Sequence, residues 1–393
     1  MTEGFSAEAG TGSAVRKSDQ GNVPKLRFPG FAGEWRTTPF NKVFSSVPTK
    51  NFQVFSSSFL QEGKFPIVDQ GIDLIAGYSN KASKVFNKIP VVVFGDHTTV
   101  LKYIDFPFVV GADGTKVLSV NGENAQFAYF SLLAAPIEQE GYKRHYSILK
   151  DRTLVFPTLP EQQKIAAFLG AVDARLAALA ARQAALGRFK AGLMQKLFSQ
   201  QLRFTRDDGG AFPDWEEYPF EKIAFRTRSA FNPQKSREKP TLIELENIEG
   251  GTGKIVGHSD LEGQISLKSV FQAGDVLFGK LRPYLRKYAQ PNFDGVCSSE
   301  IWVMRGRKVS NAFLFHLVQS SQFIQVANIS TGSKMPRSDW STIADTGFEI
   351  PHPDEQAKIA NALTTMDAKI QAVADQATKL QTFKKGLLQQ MFV

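Results

Sequence analysis

Pro157-Thr158-Leu159-Pro160-Glu161-Gln162-Gln163-Lys164-Ile165-Ala166 opens a stretch that runs to Phe198. Pro351-His352-Pro353-Asp354-Glu355-Gln356-Ala357-Lys358-Ile359-Ala360 opens a second one, running to Phe392, a constant 194 residues later. Asp173-Ala174-Arg175 meets Asp367-Ala368-Lys369. Phe189-Lys190-x-Gly192-Leu193-x-Gln195-x-x-Phe198 returns as Phe383-Lys384-x-Gly386-Leu387-x-Gln389-x-x-Phe392. Of the 42 positions 18 are identical, so the chain is written twice, and a repeat must be recognised before any other feature is read.

The segments in front repeat more weakly. Leu26-Arg27-Phe28 returns as Leu202-Arg203-Phe204, and Trp35-x-x-x-Pro39-Phe40-x-Lys42 as Trp215-x-x-x-Pro219-Phe220-x-Lys222. Within each half an apolar run ends in Phe-Gly, at Phe94-Gly95 and Phe278-Gly279. The order is variable domain, helix, variable domain, helix. The expected division is a flexible tail over 1–24, domains over 25–156 and 202–350, and helical segments over 157–201 and 351–393.

Stepping alternately by four and three through the first repeated stretch gives Ile165, Leu169, Val172, Leu176, Leu179, Gln183, Leu186, Lys190, Leu193 and Leu197. The same steps in the second give Ile359, Leu363, Met366, Ile370, Val373, Ala377, Leu380, Lys384, Leu387 and Met391. This is an a/d seam sustained over more than four heptads, and no proline interrupts it. Each helix is expected to run roughly 55 Å from about Glu161. Prolines just before each pattern favour extended backbone, and Glu161 and Asp354-Glu355 complement the helix N-terminus. Two helices with matched seams, ending two related halves, are expected to pair antiparallel about a pseudo-twofold axis. The variable domains alternate short β-rich runs (Pro90–Phe94, Val109–Val110, Asp275–Phe278, Ile301–Met304) with helical patches at Phe127–Leu133 and Phe313–Val318. The expected fold class is therefore mixed α/β (α+β).

Composition places this in a broad class. The 393 residues are 42% hydrophobic and 22% charged, with a net charge of +9, which suits a globular protein with a polyanionic partner. Lys and Arg number 15 against 11 acids in residues 25–156, and 19 against 18 in residues 202–350. Local patterning must therefore carry any nucleic-acid reading. The single cysteine, Cys297, excludes an intramolecular disulfide and a multi-cysteine zinc cluster. No apolar run has the length of a membrane span and no apolar leader opens the chain, so a cytoplasmic protein is expected.

Basic loops supply the candidate contacts. Lys280, Arg282, Arg286 and Lys287 surround Tyr284 just after Phe278-Gly279; such cations contact phosphates or guanine edges, or more commonly lie along a solvated surface strand. Ser333, Lys334 and Arg337 form a second basic loop, matched in the first half by Lys143, Arg144 and Tyr146. His97, Thr98 and Thr99, with Lys102 close behind, occupy in the first half the place that Lys280–Arg282 takes in the second. Loops that diverge at equivalent positions are what two modules reading different sequences need, and equally what neutral drift produces.

Two enzyme readings are weaker. Pro353-Asp354 with Asp367-Ala368-Lys369 fits the letters of a metal-dependent nuclease. On a helix, however, the second acid and the lysine face opposite ways, about 200° apart. Gly250-Gly251-Thr252-Gly253-Lys254 has the wrong spacing for a phosphate loop, and Ile255 stands where a hydroxyl is needed. It reads as a turn. The five histidines show no metal-ligand spacing, and no Gly-rich methyl-donor loop is found. A coiled-coil scaffold that does not bind DNA is the remaining alternative.

The pattern Pro-x-x-x-Glu-Gln-x-x-Ile-Ala before a helix that closes in Phe-Lys-x-Gly-Leu-x-Gln-x-x-Phe resembles the conserved regions of type I restriction-modification specificity subunits. So do Gly274-Asp275-Val276-Leu277-Phe278-Gly279-Lys280-Leu281-Arg282-Pro283-Tyr284-Leu285-Arg286-Lys287 and Cys297-Ser298-Ser299-Glu300-Ile301. The likeness runs from about residue 25 to the C-terminus. It implies a non-catalytic bacterial subunit with two target-recognition domains, each reading one half of a split site in double-stranded DNA. The paired helices would set the gap and dock two modification subunits, through seam residues such as Ile165 and Ile359. By the same resemblance, S-adenosylmethionine, ATP and Mg belong to the modification and restriction subunits, and none of them to this chain. The first domain has Phe-Gly-Asp-His where the second has Phe-Gly-Lys-Leu-Arg-Pro.

Overall fold

A computed structural model describes residues 21–139, 141, 143–329 and 335–393. The described residues form two compact units, one of residues 21–179 with 376–393 and one within residues 180–375. Two long helices, Leu159–Phe198 and Pro353–Met391, are each divided between the units.

In the first unit a four-stranded antiparallel sheet has the order Phe44–Val47, Thr115–Val120, Val91–Gly95, Leu101–Ile104. Its central strand is buried throughout, as expected for a strand covered on both faces. Alternate side chains enter different cores. Val92, Phe94 and Leu118 join the core built around the helix Ala125–Ala134 and the long helices. Val91, Val93 and Val117 join Val68, Phe86, Phe108 and Val110, which belong to a second, mixed sheet. That sheet pairs Phe108–Gly111 in parallel with both Gln53–Val54 and Phe65–Val68.

The second unit repeats this frame. Ala224–Arg226, Ile301–Gly306, Val276–Gly279 and Tyr288–Ala289 form a four-stranded antiparallel sheet in the same order. Val276, Phe278 and Met304 face the helix-side core, and Leu277, Ile301 and Val303 face the other. A helix over Asn311–Leu317 takes the place of Ala125–Ala134. Each of these helices is capped by the side chain before it, Asn124 accepting from Phe127 N and Ser310 from Phe313 N.

The repeated Phe-Gly has a steric cause. At both glycines the backbone amide closes a hairpin, donating to Val100 O or Lys287 O at 2.8 Å. A Cβ on Gly95 would lie 2.1 Å from Thr98 Oγ1, and one on Gly279 2.7 Å from Leu245 Cδ2. A side chain at either position would have to displace its neighbours.

In each unit the start of one long helix packs beside the end of the other, antiparallel. Ile165, Leu169 and Val172 share the first core with Leu387 and Met391, and Ile359 and Leu363 share the second with Leu197. Of the expected seam, Leu179, Met366 and Val373 are also buried. Leu176, Leu186, Ile370 and Leu380 are half-buried. The lysines that interrupt the seam have partners. Lys384 Nζ lies 2.6 Å from Asp173 in the first unit, and Lys190 Nζ lies 2.6 Å from Asp367 in the second. These pairs are the same pair exchanged between repeats, the reciprocity of an isologous contact. Burial pushes the Asp367 carboxyl up, and Lys190 opposes the shift.

The Glu-Gln that opens each helix is not primarily a charge for the helix dipole. Glu161 and Glu355 are buried and accept forked pairs from Arg27 and Arg203, the arginines of the repeated Leu-Arg-Phe. Gln162 and Gln356 each donate to the carbonyl of the proline five residues earlier, at 2.9 Å. Residues 21–24, expected within the tail, are tied down. Asn22 Nδ2 donates to Thr37 Oγ1 at 2.8 Å, and Trp35 N donates to Asn22 O.

One difference between the cores makes the second unit acid-sensitive. His316 is fully buried, with Nε2 3.1 Å from Thr364 Oγ1. By its spacing from the helix cap, Phe130 holds the same place in the first unit. Burial, then the nearby Lys190, push the His316 pKa down to about 3. The unfolded chain therefore binds a proton that the folded one refuses, between about pH 6.5 and 3. Stability of the second unit should fall by about 1 kcal/mol per pH unit through that window. Urea titrations between pH 7 and 4 on the wild type and His316→Phe check this; equal pH slopes would contradict it.

Candidate nucleic-acid interface

At one end of each four-stranded sheet the first strand ends, the Phe-Gly strand ends and the strand between them begins. The registers make the two places equivalent. Thr115 pairs with Gly95 as Ile301 pairs with Gly279, and Ser46 meets Leu118 as Arg226 meets Met304. The next loop is tied to the same point in both halves: His145 N donates to Asp96 O and Ser338 N to Lys280 O, each at 2.8 Å. Each of these sheet ends opens into a cleft.

The first cleft, of about 610 Å³, is lined by Ser46, Thr49, Gln53, Asp96, His97, Asp113, Thr115, Lys116 and Arg144, among others. Its charges are mixed. Asp96 is buried, lies 3.7 Å from Lys116 Nζ and accepts from Tyr146 N at 2.8 Å. The second cleft, of about 220 Å³, is lined by Arg226, Thr227, Arg228, Ser269, Lys280, Ser299 and Trp302. Its charges are all positive. No ion pair with a carboxylate is formed by Arg226, Arg228 or Lys280 among the described residues. The Arg226 guanidinium instead lies over the Trp340 ring, 5.4 Å from its centroid, a cation–π contact that restrains it.

The residues expected from sequence divide. His97, Arg144 and Lys280 line the clefts. Thr98 and Thr99 shape the hairpin turn beside the first, with Thr98 Oγ1 donating to Gln70 O at 2.5 Å and Thr99 at φ 58°. Tyr146 packs its ring near Phe40 and Phe94 and lies under Lys116 and Lys150. Lys143 is exposed on the loop before it. Arg282 and Tyr284 are exposed on the turn after the second cleft.

Other expectations need correction. Lys102 is buried, with its ammonium on the carbonyls of Asp69 and Asp73, and burial lowers its pKa. It braces a loop and does not face solvent. Lys287 Nζ donates to Leu245 O at 2.6 Å and Arg286 Nη2 to Gln319 O at 3.0 Å, so half of the basic octapeptide fastens its own fold. Arg337 forms a forked pair with Glu300. Ser333 and Lys334 lie outside the described residues. The sequence reading missed Arg226 and Arg228, although the alternation Arg226-Thr227-Arg228 at the end of an edge strand was a signal for them.

The letters of the nuclease pattern do not converge, since the Asp367 carboxylate is held by Lys190. No group of three His, Cys, Asp or Glu that could hold a metal occurs among the described residues. Gly250–Lys254 is a turn, closed by Glu249 N donating to Lys254 O. Among the described residues no helix is long and apolar enough to cross a membrane.

A family model described as the type I restriction modification DNA specificity domain matches residues 33–187 and again 234–382. The EcoDI specificity subunit of Escherichia coli is 26% identical over 168 residues, 42% of this chain and 37% of that protein. The MjaVIII specificity subunit of Methanocaldococcus jannaschii is 22% identical over 269 residues, 61% of each. The chain thus spans less than two thirds of the length of either relative. The crystal structure of a type I restriction-modification S subunit from M. genitalium matches with a TM-score of 0.60 and 15% identity. That match covers 94% of this chain and 99% of the other, a likeness of fold. With the specificity model matched twice over most of its length, the chain belongs to the type I restriction-modification DNA specificity family, whose members are non-catalytic specificity subunits.

Proposed function

We propose that the two domains each read one half of a bipartite site in double-stranded DNA, and that the paired helices set the gap between the halves. The observation that carries this reading is the contrast between frame and cleft. Strand order, helix caps, forked Arg–Glu pairs and seam ion pairs all repeat. The side chains at equivalent cleft positions change from Ser46 and Asp96 to Arg226 and Lys280. A repeated frame positions a reader; altered groups at its mouth change what is read. Asymmetric half-sites follow.

The chain docks two modification subunits, one per repeat, and those partners supply the methyl donor and the catalytic chemistry. The seam is used within the chain, so a partner meets a face beside it. There Phe189 and Phe383, identical in the repeats, are 61% and 52% exposed. A Cβ on Gly192 or Gly386, one turn beyond, would meet nothing within 4 Å, leaving room for a second helix at close range. Replacing either phenylalanine by alanine should weaken one of two docking events by about 2 kcal/mol and leave the other intact. Mass measurement of the complex at limiting concentration should then find one bound partner; two retained partners would contradict the assignment.

The function is tested by selection. The complex with its modification subunits should enrich, from random duplexes, sequences with two specified blocks at one fixed separation. A single contiguous block, or no enrichment, would overturn the reading.

A further inference from the structure

We infer that the cationic cleft of the second domain reads guanine, with Arg226 and Arg228 as the specificity-determining side chains; this rests on the DNA-reading role proposed above. Guanine presents two acceptors, N7 and O6, on its major-groove edge, and a guanidinium fork matches both. Phosphate contacts need only positive charge, whereas base reading needs a cation held in one orientation. Arg226 is restrained in that way, since its guanidinium lies over the Trp340 ring, 5.4 Å from the centroid, and Trp340 is itself set edge-on against the buried Trp302 at 5.3 Å. Arg228 follows two residues later on the same side of the extended chain, exposed like Arg226. Lys280 closes the cleft from the Phe-Gly strand.

Two buried polar atoms of cleft residues point the same way. Thr227 Oγ1 and Trp302 Nε1 have no hydrogen-bond partner among the described residues. Unsatisfied buried groups are rare and costly, and they mark places where something other than the fold supplies the partner. The equivalent residue to Trp302 in the first domain is Lys116, and the first cleft carries Asp96 and Asp113. The half-site under the second domain is therefore guanine-bearing.

The test uses the intact chain co-expressed with its modification subunit in a methylation-free host, with modified bases mapped across the genome. Arg226→Ala and Arg228→Ala should each leave one half of the motif and the gap unchanged. In the other half, preference for guanine at one position should fall by about tenfold or more. Arg226→Lys and Arg228→Lys, which keep charge and lose the fork, should relax the same positions, and co-purification with the partner confirms that each variant is folded. If the wild type yields a split motif but these variants keep every guanine, the assignment of the cleft fails while the two-reader function stands. Uniform loss of methylation without a change of motif would reduce both arginines to phosphate contacts and also overturn it. A wild type without a split motif would remove the proposed function, and this inference with it.

Discussion

Replacing Arg27 by alanine is expected to destabilise the first unit by about 4 kcal/mol, and the equivalent Arg203→Ala the second unit by about 3 kcal/mol. Each arginine pairs with a carboxylate that has left water: Glu161 is 1% exposed and Glu355 0%. Arg27 donates from Nε and Nη2 at 2.7 and 2.8 Å, and Arg203 at 3.2 and 2.8 Å. Removal of one partner strands a buried charge, and that costs far more than the pair contributes net of its desolvation. The difference between units comes from the repeated tryptophans. Trp215 Nε1 still donates to Glu355 at 3.2 Å, whereas Trp35 Nε1 has no hydrogen-bond partner among the described residues. Glu161 would be left with less than Glu355. Denaturant unfolding of both variants measures this, and changes below 1 kcal/mol would mean that water reaches the carboxylates.

The second large effect concerns the chain's C-terminus. Leu387 and Met391 belong to the first unit's core, more than two hundred residues after its sheet. Leu26 N donates to Gln390 O at 2.9 Å, and the Phe392 ring stands edge-on to Trp35. In the second unit the matching bond, Leu202 N to Lys196 O at 3.0 Å, joins neighbours in sequence. The first domain is therefore completed by the last residues of the chain. Leu387→Ala should cost it about 3 kcal/mol, by lost burial and the cavity left behind. Truncation after Asp375 should abolish its folding, because the unit would lose that whole side of its core. Hydrogen exchange reads both outcomes locally. Amides of Val91–Gly95 should lose protection while those of Val276–Gly279 keep it. Equal loss in both strands would mean that the two units unfold as one.

Much of this was legible in the sequence, for identifiable reasons. The long helices follow from a seam of period 3.5 that needs no tertiary information, and the repeat doubles its weight. The Phe-Gly signal was visible because close approach favours glycine at Gly95 and Gly279. What stayed hidden depends on distant partners. Arg27 finds Glu161 134 residues away, and Lys190 interrupts an apolar seam until Asp367 stands beside it. Charge alone misled at Lys102, Arg286 and Lys287, whose cations are held by backbone carbonyls. Arg226 and Arg228 become cleft residues only through an edge-strand pairing with Met304, which the local pattern does not encode.

The central claim is that two readers sit on one helical spacer, and lengthening the spacer tests it directly. Three heptads inserted at equivalent points of both long helices preserve the seam and add about 31 Å. That is close to one turn of B-DNA, so both readers keep nearly the same face of the duplex. Methylated motifs mapped for this variant with its modification subunit should show the same two half-sites, separated by about nine more base pairs. A motif with an unchanged gap, from a variant whose helices are demonstrably longer, would show that something other than the helix pair sets the distance.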